Sequence, residues 1–217
     1  MNHCLKVFKC SGWLNFCDEY LLALADSVPL LEELDISINM FASKVSWDAM
    51  EAIAGKLKKL RRLHISGQNM ITCGSFRTYF TDLSLEKLSV DHPDFDMDFD
   101  FVLSNYQDLV SLKFVGLPMN FRHPDRNRNI LVKSLALPSS LQELEFCRLN
   151  VSYGLCYSIA QACLPLRSVK NHDHLQFLNL CMNPSLDDEM LEKLTHICPN
   201  LEFLHVTRSQ ATYRRRN

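Results

Sequence analysis

The chain has 217 residues, 47% of them hydrophobic, with 23 Lys and Arg against 25 Asp and Glu and a formal net charge of -2. That near balance gives no global attraction to nucleic acid or to an anionic membrane surface, and no apolar run is long enough to span a bilayer. Residues 1–6 lack the extended apolar segment of a secretory signal, so a cytoplasmic or nuclear location is expected.

In chain order, Leu5-x-Val7 followed by Cys10 predicts a first strand centred on Leu5, with Lys6 aligned to Asp35. A helix over 18–27 returns the chain to Leu31-x-x-Leu34-x-Ile36, which carries Asn39 and Phe41. A second helix is expected over 47–57, with Ser46 as its N-cap, before Leu60-x-x-Leu63-x-Ile65 with Gln68 and Met70. The next units, Leu85-x-x-Leu88-x-Val90, Leu109-x-x-Leu112-x-Phe114 and Leu141-x-x-Leu144-x-Phe146, keep the leucines and lose the asparagine. Helical returns are expected over 99–106 and 153–163, and an exposed loop over 119–133, where Pro124 and several Asn, Arg and Lys residues gather. Leu175-x-x-Leu178-x-Leu180 with Asn183 restores the full pattern. A helical run over 187–197 follows with Met190, Leu191, Leu194 and Ile197, and Ser185 with Asp188 three residues on resembles a capping box. Leu201-x-x-Leu204-x-Val206 begins one more unit.

Such a unit is too small to bury its own apolar face, and only stacked neighbours make a core. The expected fold is therefore an α/β leucine-rich repeat solenoid, a curved parallel sheet with helical or irregular return segments. About eight repeats with incomplete ends fill residues 1–208, and 209–217 form a basic C-terminal tail. The strands run parallel because every return carries the chain back to the same side. An opening inside a strand and a close without a further helix read as a piece of a longer protein or a shortened isoform.

The nine cysteines are odd in number and nowhere spaced Cys-x-x-Cys, which argues for reduced thiols acting as small core hydrophobes and against a zinc site. Asp94, Asp96, Asp98 and Asp100 begin like a calcium loop. Counting from Asp96, Phe101 then stands where Gly is needed and Gln107 where Glu is needed, so a solvated turn is the better reading. His172 and His174 have no third ligand at fixed spacing, and Arg122, Arg126, Arg128 and Arg214 to Arg216 lack interleaved aromatics. No phosphate loop or nucleophile motif is present, so neither an enzyme nor a cofactor or metal is expected, and no nucleic-acid or membrane partner.

The residues flanking the inward leucine point to the concave face. The central column reads Lys6, Asp35, His64, Ser89, Lys113, Glu145, Asn179 and His205, polar and solvated. Its neighbour reads Cys4, Glu33, Arg62, Lys87, Ser111, Glu143, Phe177 and Phe203. Phe177 and Phe203, with Cys181 and Met182 close by and Asn179 and His205 between them, form the expected protein-binding patch unless flanking sequence covers it.

Cys198-Pro199-Asn200-Leu201-x-x-Leu204-x-Val206, preceded by Asn183 through Leu194, resembles the cysteine-containing leucine-rich repeats of F-box proteins. The resemblance implies the substrate-recognition part of an SCF-type ubiquitin ligase, acting in ubiquitin-dependent protein catabolism. A protein substrate would lie on the concave face. A Skp-type adaptor and a cullin would be reached only through an F-box, which is not seen here because residues 1–17 already read as repeat. The alternative is a leucine-rich repeat scaffold unrelated to ubiquitination.

Overall fold

The computed structural model describes residues 4–11, 16–37, 45–66, 80–91, 102, 104–116, 137–148, 175–183, 186–198 and 200–207. The chain divides into two compact units, Met1–Met97 and Asp98–Asn217.

The first unit contains β1 (Val7–Lys9), α1 (Asp18–Ser27), β2 (Glu33–Ser37), α2 (Trp47–Lys56), β3 (Arg62–Ser66) and β4 (Lys87–Asp91). Its strands pair in parallel and in chain order, with Leu34 beside Leu63 and Leu63 beside Leu88. The second unit contains β5 (Ser111–Val115), β6 (Glu143–Cys147), β7 (Phe177–Asn179), α3 (Asp188–Ile197) and β8 (Phe203–His205). There Leu112, Leu144, Leu178 and Leu204 stand side by side in parallel register. This is the expected α/β leucine-rich repeat architecture, with the strands of each unit parallel to their neighbours.

Period-two alternation drives the strands into place. In β2, β4 and β5 the leucine and the residue two positions on are buried while their neighbours stay half-buried or exposed. Leu34, Ile36, Leu112, Phe114, Leu144, Phe146 and Leu178 are fully buried on the leucine side, and the Phe114 and Phe146 rings stack there at 5.9 Å. The helices add a second layer of core. Ala49, Met50, Ile53 and Ala54 cover one stripe of α2, and Met190 and Leu194 one of α3.

Among the described residues one hinge recurs before four of the strands. Val28 donates its N–H to Leu24 O and accepts that of Leu31; Leu57 does the same between Ile53 and Leu60, Tyr106 between Val102 and Leu109, and Cys198 between Leu194 and Leu201. Each hinge residue is buried, so Cys198 holds the place that Val28, Leu57 and Tyr106 hold in other repeats. Beyond the hinge, one carbonyl receives two successive N–H groups of the next strand: Lys6 O from Glu32 and Glu33, Glu32 O from Arg61 and Arg62, Gln142 O from Gln176 and Phe177.

That ladder corrects the reading of the first strand. Lys6 is equivalent to Glu32, so Leu5 corresponds to Leu31, not Leu34, and Phe8 rather than Leu5 pairs with Leu34. Lys9 and Val7 therefore occupy the columns assigned to Lys6 and Cys4. The inward positions are Phe8 and buried Cys10, which carry no leucine, and the leucine signal pointed three residues too early.

The helices fall where periodicity places them, and Ser46 caps α2 by accepting the Ala49 N–H at 3.4 Å. Ser185, the first residue of the capping box expected before α3, lies outside the described residues. Asp187 is the N-cap, its Oδ1 accepting the Met190 N–H at 2.9 Å, because its short carboxylate reaches the third helical N–H and also complements the helix dipole. The expected helix over 153–163, the loop over 119–133, Asp94 to Asp100, His172, His174 and the arginines at 122, 126, 128 and 214–216 lie outside the described residues.

Candidate functional site

Strands β6, β7 and β8 set the geometry of the aromatic patch. Phe177 pairs with Phe203 across the ladder, and Asn179 with His205. In-register parallel strands point equivalent side chains the same way, so the two rings stack face to face, 4.7 Å apart and 1° from parallel. Phe177 is half-buried by its flanking strands, while Phe203 keeps 48% of its surface exposed. His205 lies edge-on to Phe203 at 6.2 Å, and its Nε2 is 3.1 Å from Thr207 Oγ1.

Asn179 departs from expectation. It is only 8% exposed, not solvated like a surface column, because its Oδ1 turns back to accept the Cys181 N–H at 3.1 Å. It shapes the turn that follows β7. Asn183 completes that turn fully buried, its Nδ2 donating to Phe146 O at 2.7 Å and Leu180 O at 2.8 Å.

Cys181 and Met182 follow Leu180 and are half-exposed. Met182 has φ 57°, and Arg148, the equivalent residue after β6, has φ 56°. Arg148 Nε donates to Met182 Sδ at 3.4 Å, so the two turns are tied side by side. The structure thus brings Phe177, Phe203 and His205 into ring contact and sets Asn179, Cys181 and Met182 on the adjoining turn. Arg148 and Cys147 extend the group, and the sequence carries their signal: Leu141 to Cys147 and Leu175 to Cys181 have the same spacing, so the cysteines align.

Charged groups surround the rings. Glu143 neighbours Phe177 across the ladder, and Glu145 beside it accepts from Lys113 Nζ at 3.0 Å. In the first unit the corresponding face holds His64 between two carboxylates, Asp35 Oδ2 at 3.4 Å and Asp91 Oδ2 at 3.2 Å. Burial pulls the His64 pKa down, but the hydrogen bond and charge of Asp91, aided by Asp35, raise it above the ordinary imidazole value. Burial likewise pushes Asp35 up, while donors from Ser37 and the His64 charge bring it below the usual carboxylate value. Among the described residues no group of three or more His, Cys, Asp or Glu is arranged to hold a metal ion, and no helix is long and apolar enough to cross a membrane.

No family model matches the chain, and no curated protein matches it in sequence. The fold is similar to that of yeast Rad7. In the crystal structure of the Rad7 and Elc1 complex the likeness covers 94% of this chain and 51% of that one, with a TM-score of 0.58 and 20% sequence identity. This chain thus spans about half the length of that one, 51%. At 20% identity the likeness to Rad7 is one of fold.

Proposed function

We propose that the chain is a protein-recognition module that captures a protein partner on the strand face bearing Phe177 and Phe203, with Asn179, Cys181, Met182 and His205 framing the contact. The observation that carries this reading is the stacked, in-register ring pair, with Phe203 48% exposed, on a face where the same unit otherwise presents Ser111, Lys113, Glu143 and Glu145. The leucines fill the core on the opposite side, so these rings are not needed to close it. A rigid aromatic surface with a polar rim is the usual composition of a binding hot spot.

The resemblance of the repeats to those of F-box proteins supports a finer assignment, the substrate receptor of an SCF-type ubiquitin ligase. In that arrangement a Skp-type adaptor and a cullin are reached through an F-box in a longer product. The fold similarity to Rad7, a protein solved in complex with Elc1, supports assembly with a partner protein of this general kind. A scaffold unrelated to ubiquitination becomes the reading if the longer product is purified without such an adaptor.

A photoreactive benzophenone amino acid placed at residue 203 tests the surface directly, with the same group at Tyr20, 53% exposed on α1, as the comparison. Protein adducts from position 203 and none from position 20 are expected. Adducts from position 20 alone would move recognition to the helical side.

A further inference from the structure

We infer that Cys147 and Cys181 form a reactive dithiol that closes to a disulfide by exchange with a low-molecular-weight disulfide of the glutathione type. The two residues occupy equivalent positions after β6 and β7, and their sulfurs lie 3.0 Å apart. The register that pairs Glu145 with Asn179 sets them directly side by side, and the Arg148 N–H donates to Cys181 O at 3.1 Å. Neighbouring strands are spaced about 4.8 Å apart, inside the range of about 4.4–6.8 Å that a disulfide spans between α-carbons. The inference stands on this geometry and is independent of the aromatic surface.

The thiols are unequal, which orders the reaction. Cys181 is half-exposed, and Cys147 is 4% exposed. Cys181 Sγ donates to Cys147 Sγ, which donates to Glu145 Oε1 at 3.5 Å. Burial, then the Cys181 thiol and the Glu145 charge, hold the Cys147 pKa well above the ordinary thiol value. Cys181 is accordingly the first nucleophile. Its thiolate attacks one sulfur of the small disulfide, forming a mixed disulfide and releasing one thiolate, which takes up a proton. Cys147 then loses its proton to solvent and attacks Cys181 Sγ, expelling the second thiolate, which is protonated in turn. Two protein thiols lose two electrons and two protons, and one small disulfide becomes two small thiols.

The test uses the full chain in buffers of graded reduced-to-oxidised glutathione ratio, quenched by alkylation and read by peptide mass spectrometry. The expected product is a Cys147–Cys181 linked peptide that forms in the folded protein, is reversed by excess reduced glutathione, and gives way to scrambled pairs when the treatment is done in denaturant. Cys147→Ser is expected to trap the glutathione adduct on Cys181, whereas Cys181→Ser leaves Cys147 unmodified. Glu145→Gln removes a charge that raises the Cys147 pKa, so it is expected to speed closure without altering the first step. Full alkylation of both thiols at every ratio in the unsubstituted protein, or preferential pairing of either with another cysteine, overturns the inference.

Discussion

Asn183 and Asn179 show how much the turn after β7 depends on side-chain amides. Replacing Asn183 by Ala leaves two buried carbonyls, Phe146 O and Leu180 O, without that donor, which is expected to cost about 2 kcal/mol. Asn179→Ala removes one acceptor, for the Cys181 N–H, and is expected to cost about 1 kcal/mol. Leu178→Ala, which deletes a fully buried side chain, is expected to cost about 2–5 kcal/mol. Denaturant titration of the three variants checks this order. The role of Asn183 was legible because an amide at that point of the repeat has only backbone to satisfy. The burial of Asn179 was not, because strand alternation places it with solvated residues and only the folded turn brings it back onto Cys181. His64 adds a pH dependence. Its folded pKa is raised above the unfolded value of about 6.5, so the stability it contributes is fully present below that value and is lost as pH rises through the folded one. The stability difference between the unsubstituted protein and His64→Gln is therefore expected to shrink between acidic and alkaline pH. A difference that grows with pH would contradict the clamp by Asp35 and Asp91.

At the level of elements, the leucine spacing gave strand position and register from β2 through β4 and from β5 through β8, because a slip by one residue would turn every leucine out of the core. It failed at β1, where Phe8 and Cys10 take the inward places and the remaining leucine, Leu5, belongs one step earlier in the unit. Periodicity placed α3 in the run 187–197, and its N-cap is Asp187, which the spacing of Ser185 and Asp188 did not single out. Asp187→Ala is expected to destabilise α3 by about 1 kcal/mol, read as faster hydrogen exchange in that helix. Gly55 offers the opposite change. It lies in α2 with open space where a Cβ would sit, so Gly55→Ala is expected to stabilise by about 0.5–1 kcal/mol, raising the thermal midpoint.

For the molecule as a whole, repeat architecture was legible from sequence because each unit states the same leucine pattern and the units have to stack. Function was less so. The patch of Phe177 and Phe203 stood out as two aromatics in an otherwise polar column, but their face-to-face stack and the turn tying Met182 to Arg148 follow only from the fold. Similarity to Rad7 extends the architecture over 94% of the chain without transferring a partner. The central claim is that the two rings anchor a protein, and the measurement that tests it most directly is partner affinity for Phe177→Ser/Phe203→Ser beside an Arg126→Ala/Arg128→Ala variant. Circular dichroism establishes that both variants remain folded. Aromatic anchors typically contribute about 2 kcal/mol or more each, so the double Phe variant is expected to bind at least about a hundredfold more weakly. The arginine variant is expected to change mainly the association rate and its salt dependence. Unchanged affinity in the double Phe variant, with binding lost in the arginine variant at physiological salt, would contradict the account and place recognition in residues 119–133.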